Sequence, residues 1–161
     1  YEGQAMIDSN YLMNVMKRYQ DTQPRGVKDV NAQIELFSPD CVFVSFPVAS
    51  VVGSVEPRLL RGREALHDAF VAYNHFILKQ PFVDISYVDT YAVASQDGRS
   101  GICGFTLVID MGDERIQSMA MNQAQFHVRT DGLICRLMNW QASSTLPIRD
   151  AVLGSEDATR S

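Results

Sequence analysis

The sequence predicts a single α+β domain, a cone in which N-terminal helices pack into the concave face of a curved antiparallel sheet. Helical patterns occupy the first half of the 161-residue chain, four β-rich stretches occupy the second half, and turn signals separate those stretches. Chains that segregate helices and strands in this way place their helices on one face of an antiparallel sheet. A chain of this length is also long enough to bury a sizeable core. We therefore expect one domain over residues 1–161, with its core at about 9–145.

Three helices are predicted from apolar residues at helical spacing. The first covers residues 10–22, with Asp8 or Ser9 as its N-cap. The second is shorter, because its stripe of Val30, Ile34 and Phe37 is followed by a terminating Pro39. The third and longest covers residues 62–78 and ends before Lys-Gln-Pro at 79–81.

The strands follow from β-rich composition and turn residues. Residues 41–46 read as a first strand, and residues 47–60, with two prolines and a glycine, predict a long loop of the kind that often serves as a functional lid. Residues 82–94, 101–110, 115–129 and 133–142 are separated by Asp-Gly and Gly-Asp turn signals and predict an antiparallel meander. The polar tail after Pro147 is expected to fray.

Composition excludes several classes of protein. Apolar residues make up 46% and charged residues 20% of the chain, which is ordinary for a globular domain. The formal charge of −5 argues against a nucleic-acid partner, and no apolar stretch is long enough to span a bilayer. Cys41, Cys103 and Cys135 stand apart among apolar residues, which favours a reducing, cytoplasmic compartment. No cofactor or metal motif occurs, and Tyr1 in place of Met predicts a trimmed N-terminus.

Three motifs carry a family resemblance. They are Ile-Glu-Leu-Phe-Ser-Pro-Asp-Cys-Val-Phe at 34–43, Leu-Arg-Gly-Arg-Glu-Ala-Leu at 60–66, and Ala-Gln-Phe-His-Val-Arg-Thr-Asp-Gly-Leu-Ile at 124–134, which leads to Trp140. Their order and spacing resemble the SnoaL-like branch of the nuclear-transport-factor-2-like superfamily over residues 9–145. The resemblance implies an enclosed apolar pocket. It does not imply one activity, since this fold carries isomerases, cyclases, dehydratases, epoxide hydrolases and assembly domains.

The resemblance also implies which strand residues face the pocket. Inward positions would be Gly104, Thr106, Val108, Asp110, Ala120, Asn122, Ala124, Phe126, Leu137, Asn139 and Gln141. Outward positions would be Cys103, Phe105, Leu107, Ile109, Met119, Met121, Arg136, Met138 and Trp140. Since most of the outward set is apolar, a homodimer through the outer sheet face is expected.

Known catalytic arrangements of this fold are incomplete here. Tyr19 matches the first-helix tyrosine of ketosteroid isomerases, but the base position falls near Ser45 or Phe46 and the acid position near Ala124, so both carboxylates are missing. The epoxide-hydrolase positions fall on Gly104, Thr106 and Asn139. An asparagine cannot act as a general acid or base, which excludes that mechanism.

Two proton carriers remain as candidates. Asp110 matches the late-strand aspartate of SnoaL-type cyclases, although a turn residue beside Gly112 is the competing interpretation. His75 lies on the polar side of the third helix, where a surface role competes. With Tyr19 and Asn139 as polarising groups, these four are the catalytic candidates.

The predicted pocket is rich in amides, hydroxyls and aromatic rings, which suits binding of an apolar carbonyl compound. We expect a small-molecule-binding protein, with isomerase, cyclase or dehydratase chemistry open. The alternatives are a non-catalytic dimerisation or ligand-sensing domain and the small subunit of an oxygenase. Asn122 and Asn139 could also simply satisfy each other across neighbouring strands. The ligand-binding candidates are Tyr19, Ser45, Phe46, Tyr73, Gly104, Thr106, Asn122, Ala124, Phe126, Leu137, Asn139 and Gln141.

Overall fold

Three helices and six strands make up the described part of the chain. The computed structural model describes residues 7–21, 26–46, 57–79, 84–110 and 117–144. The helices are α1 (Ser9–Gln20), α2 (Val30–Ile34) and α3 (Gly62–Leu78), and the strands are β1 (Phe37–Phe46), β2 (Arg58–Arg61), β3 (Asp84–Ala94), β4 (Ser100–Asp110), β5 (Gln117–Val128) and β6 (Ile134–Ser144). The predicted order of helices and long strands is confirmed. The polar tail and most of the predicted lid lie outside the described residues.

The six strands form one open sheet in the order β2-β1-β6-β5-β4-β3. The antiparallel meander from β3 to β6 is confirmed by its pairings. However, β1 pairs with β6 in parallel, so the sheet is mixed rather than wholly antiparallel. The last three residues of the predicted loop, together with Arg61, form an edge strand against β1. Register shifts place extra residues in β1, β3 and β6, and such irregularities bend strands.

The second helix is shorter than predicted because Phe37 belongs to the sheet. α2 ends at Ile34, and Phe37 pairs with Ile134 at the start of β6. Both side chains are fully buried, so the strand register buries apolar area that another helical turn would have exposed. The position of Phe37 fits the apolar spacing of the second helix, but the residue belongs to β1. Tertiary packing, rather than local spacing, determines its secondary structure.

Helix α1 is capped at both ends by side chains. Asp8 is the N-cap, and its Oδ1 accepts a hydrogen bond from the backbone amide of Tyr11 at 2.8 Å. At the other end, the buried Gln33 of α2 donates from Nε2 to the carbonyls of Arg18, Tyr19 and Asp21 at 3.1–3.2 Å. The Arg18 carbonyl also accepts the Asp21 amide at 3.3 Å, whereas the last carbonyls of a helix have no amide one turn further on. Gln33 therefore satisfies exposed helix-end carbonyls and fixes α2 against α1.

The core lies between the helices and one face of the sheet, which we call the inner face. The helical spacing predicts an apolar stripe of Tyr11, Leu12, Val15, Met16 and Tyr19 on α1. All of these except Tyr11 are buried on the inner face, and Tyr11 is 39% exposed. Leu66 and Phe70 of α3 cover the part of the inner face near β1. The aromatic rings of Tyr19, Phe37, Phe43, Phe70 and Phe126 meet edge to face, with centroids 5.0–6.4 Å apart.

All three cysteines are free, and Cys41 and Cys103 are buried. Their small apolar side chains fill the core, as predicted. Among the described helices, none has the length and apolarity needed to cross a lipid bilayer.

Candidate functional site

The inner face of β5 and β6 carries the predicted strand residues. Phe126, Ala124 and Asn122 are buried, whereas the intervening Gln123 is exposed. Because directly paired residues of a sheet point to the same face, Leu137 opposite Phe126 and Asn139 opposite Ala124 are also on the inner face. Leu137 is fully buried and Asn139 is half-buried. Gln141 pairs with Asn122 through the backbone, and its side chain lies outside the described part of the chain.

Strand β1 adds Ser45 to this face but not Phe46. Ser45 is in register with Asn139 and is half-buried. Phe46 is in register with Trp140, and the two rings stack with centroids 5.9 Å apart and planes 2° apart. Since Trp140 lies on the opposite, outer face, the expectation that Phe46 lines the interior is wrong. Alternation along β1 puts Ser45 and Phe46 on different faces.

The predicted parity of β4 is also wrong. Cys103 pairs with Ala124 and Phe105 with Asn122, so Cys103 and Phe105 are on the inner face. Gly104 and Thr106 pair with Gln123 and Met121 and therefore lie on the outer face. Apolar residues occupy both faces of this strand, so alternation in the sequence could not show which face is buried.

Gly104 has a packing role on the outer face. A β-carbon added there would lie 2.6 Å from ring atoms of Tyr91, which covers the glycine. The Tyr91 hydroxyl accepts a hydrogen bond from Gln123 Nε2 at 3.0 Å. Gly104 therefore provides the space in which the Tyr91 ring lies flat across the sheet.

Tyr19 lies at the centre of the buried aromatic cluster. Its ring centroid is 5.0 Å from that of Phe126 and 6.1 Å from that of Phe37. Burial raises the pKa of the Tyr19 phenol far above its ordinary value, and the neighbouring Cys103 and Tyr73 raise it further. Tyr19 is therefore a neutral phenol at physiological pH, able to donate a hydrogen bond but not to act as a base.

Lys28 is a functional candidate that the sequence did not reveal. Its Nζ lies over the rings of Tyr19, Phe70 and Tyr73, at 4.9, 5.5 and 6.0 Å from their centroids. Burial lowers the pKa of Lys28 to about 8, although interaction with Cys103 acts in the opposite direction. Lys28 precedes α2 in the chain and belongs to no apolar stripe, so no periodic pattern could have identified it.

The backbone of Lys28 is fixed by one residue of α3. Asn74 accepts a hydrogen bond from the Lys28 amide at 2.9 Å and donates one to the Lys28 carbonyl at 2.7 Å. The side chain of Asn74 thus satisfies both the backbone N–H and the backbone C=O of Lys28. Lys28 is held over the aromatic rings by a defined anchor.

Asn122 is buried with an unused hydrogen-bond donor. The residue is 6% exposed, and its Nδ2 has no acceptor among the described residues. The interpretation that Asn122 and Asn139 satisfy each other therefore does not hold for this atom. A buried, unpaired amide costs about 1–3 kcal/mol, which makes it a marker of a functional position.

The two predicted proton carriers do not join this group of residues. His75 is on α3 and exposed. Asp110 is the last residue of β4, where its backbone pairs with Asp84 and Gln117, and its side chain lies outside the described part.

Tyr73 is half-buried on α3 and borders the Lys28 amine. The described residues contain no cluster of three His, Cys, Asp or Glu side chains that could hold a metal ion.

Solved structures share this architecture at low sequence identity. A phenazine biosynthesis-related protein from Pseudomonas aeruginosa superposes with a TM-score of 0.60 at 15% identity, over 83% of this chain and 80% of that one. A proposed polyketide cyclase from Xanthomonas campestris pv. campestris gives 0.57 at 17% identity, over 82% and 90% of the two chains. A nuclear-transport-factor-2-like protein from Anabaena variabilis gives 0.57 at 13% identity, over 90% and 95%.

The chain thus has the α+β cone fold of the nuclear-transport-factor-2-like proteins. The fold that the family resemblance implied is therefore confirmed. No protein-family model matches the sequence, and no curated protein matches it.

Proposed function

We propose that this protein binds a small apolar molecule with a carbonyl group between its helices and the inner face of the sheet. The unpaired Nδ2 of the buried Asn122 carries the proposal, because a carbonyl oxygen is the acceptor that this donor lacks. Proteins with the same fold include a phenazine biosynthesis-related protein and a proposed polyketide cyclase, which supports a small-molecule role.

The chemistry available at this site is polarisation of an oxygen rather than strong base catalysis. Tyr19, Lys28 and Asn122 all present hydrogen-bond donors, and the inner-face residues that the structure describes include no carboxylate. Donors fixed in a low-dielectric interior stabilise negative charge that develops on a carbonyl oxygen. We infer isomerisation, cyclisation or dehydration of such a ligand, with Tyr19 and Asn122 as polarising groups and Ser45 and Asn139 orienting the ligand.

Replacing Asn122 with leucine tests the proposal. We expect Asn122→Leu to weaken binding of the apolar ketone 2-acetylnaphthalene by about 1–3 kcal/mol, because the amide would no longer meet the ketone oxygen. Binding is measured by the change in naphthyl fluorescence. The stability of the free protein should hold or rise, since the unpaired donor is removed.

The matched control for this experiment is Gln125→Leu, an amide of the same strand on the outer face, which should bind the ketone like the wild type. Equal ketone binding by Asn122→Leu and the wild type would show that the amide does not meet the ligand. Absence of ketone binding by the wild type would count against the proposed function as a whole.

The outer face supports a second proposal, a homodimer through the sheet. Leu59, Val88, Tyr91, Val93 and Ile102 are large apolar residues with 39–65% of their surface exposed. Apolar surface on one face of an otherwise covered sheet favours an isologous contact. We expect the wild type to sediment as a dimer and the Val93→Lys, Ile102→Lys double variant as a monomer. A monomeric wild type at micromolar concentration would contradict this proposal.

We also propose a cytoplasmic location. The three cysteines are free, and Cys103 lies in the core, where a reducing compartment preserves its thiol.

A further inference from the structure

The amine of Lys28 is in an environment that ordinarily excludes charge. Its Nζ is surrounded by the aromatic rings of Tyr19, Phe70 and Tyr73. The faces of such rings attract a cation, but their attraction does not replace the hydration that an ammonium group loses on burial. Buried ammonium groups in proteins are therefore paired with an anion.

No such anion is supplied by the part of the chain that the structure describes. Its ion pairs join His67 to Asp68 and Arg129 to Asp40 and Asp131, and none involves Lys28. The titratable groups that face the amine are Tyr19 from α1, Tyr73 from α3 and Cys103 from β4. Burial raises the pKa of Cys103 to about 12 and that of Tyr19 further, so neither is an anion at pH 7.

We propose that Lys28 binds a carboxylate of the ligand, so that the substrate class is an apolar carbonyl compound that also carries an acid group. The inference rests on the proposed function and makes it more specific. It assigns the charge that the amine lacks to the molecule that occupies the interior.

Lys28 and Asn122 approach the interior from different parts of the fold. Lys28 reaches the interior from the segment between α1 and α2, whereas Asn122 reaches it from the middle of β5. Asn122 lies opposite Phe105, two residues along β4 from Cys103, whose thiol is close enough to Lys28 to influence the pKa of the amine. Two residues of a strand span about 7 Å, so the amide and the amine can contact different groups of one small molecule. The ammonium would hold the carboxylate while Asn122 and Tyr19 polarise the carbonyl.

Matched naphthyl ligands test the assignment. We expect 2-naphthoate to bind the wild type at least tenfold more tightly than its uncharged analogue 2-naphthamide at pH 7. Lys28→Met should abolish this preference, because methionine keeps the length of the side chain without the charge. Lys17→Met, which removes an exposed lysine of α1, should retain it.

The dependence of binding on pH gives a second readout. Naphthoate is ionised throughout the range from pH 6 to 10, so its affinity should begin to fall once the pH exceeds the pKa of Lys28 near 8, and it should approach the affinity of Lys28→Met as the amine loses its proton. Affinity for naphthamide should stay constant. Both trends are measured by titration of naphthyl fluorescence, with Lys28→Met as the reference.

The outcomes separate this inference from the proposed function. If 2-acetylnaphthalene binds but naphthoate shows no preference over naphthamide, or if Lys28→Met retains that preference, the carboxylate assignment is overturned and ketone binding stands. If none of the three compounds binds the wild type, both proposals are overturned. A preference for naphthoate that is lost in Lys28→Met and kept in Lys17→Met supports the assignment.

Discussion

Phe126→Ala is expected to lower the free energy of unfolding by about 3–5 kcal/mol. Phe126 is fully buried in the middle of the inner face, and its ring meets Tyr19 edge to face at 5.0 Å. Removing the ring therefore loses both its transfer from water and its aromatic contact, and leaves a cavity between α1 and the sheet. Chemical denaturation followed by circular dichroism measures the change.

The size of the effect is checked against two further variants. Phe126→Leu keeps most of the volume and should cost markedly less than alanine. Val93→Ala, on the outer face at 65% exposure, should change the free energy of unfolding by no more than about 0.5 kcal/mol at concentrations where the protein is monomeric. A loss below about 1 kcal/mol for Phe126→Ala would contradict the position of this ring in the core.

Lys28→Met is expected to stabilise the free protein by about 2 kcal/mol at pH 7. The pKa of Lys28 falls from 10.5 in the unfolded chain to about 8 in the fold, because burial disfavours the ammonium. The whole pKa shift would correspond to a larger free energy. The expected gain is smaller because Lys28 is only half-buried as a residue. The variant also loses the attraction between the ammonium and the aromatic rings.

The sign of the pH dependence follows from the number of bound protons. Between pH 8 and 10.5 the unfolded chain keeps a proton on Lys28 that the folded chain has released, so the stability of the wild type rises with pH across this range. Below pH 8 both states are protonated, and the cost of burying the charge is present in full. The advantage of Lys28→Met should therefore be largest below pH 8 and fade towards pH 10.5.

Urea denaturation at pH 7 and pH 10 compares the two proteins, with Lys17→Met as the control for loss of an exposed positive charge. A destabilising Lys28→Met, or an advantage that does not change with pH, would show that the ammonium is well solvated in the fold. Greater stability together with loss of naphthoate binding would be the pattern of a residue retained for function at a cost in stability.

The helices and the meander could be predicted because their signals are local. The apolar positions of α1 recur at helical spacing, and Asp-Gly and Gly-Asp turns divide the second half of the chain. Asp8 as N-cap and the buried set of Leu12, Val15 and Met16 follow from this pattern and are observed. The parallel pairing of β1 with β6 left no such signal, since it joins residues about 95 positions apart in the chain.

The strand residues of the candidate site were also predicted correctly only in part. Asn122, Ala124, Phe126 and Leu137 have the inward direction that the family resemblance implied, and polar or exposed residues alternate with them on β5 and β6. Gly104, Thr106 and Phe46 do not, because β4 and β1 are apolar on both faces and only their pairing with neighbouring strands decides which side is buried.

The fold class, the order of the elements and the buried face of α1 could all be predicted before folding is considered, because they depend on periodicity and turn residues close together in the chain. Folding alone fixes which strand residues face the interior and places the Lys28 amine over three aromatic rings. Those rings come from α1 and α3, and the environment of a charge depends on what folding brings around it rather than on its neighbours in sequence.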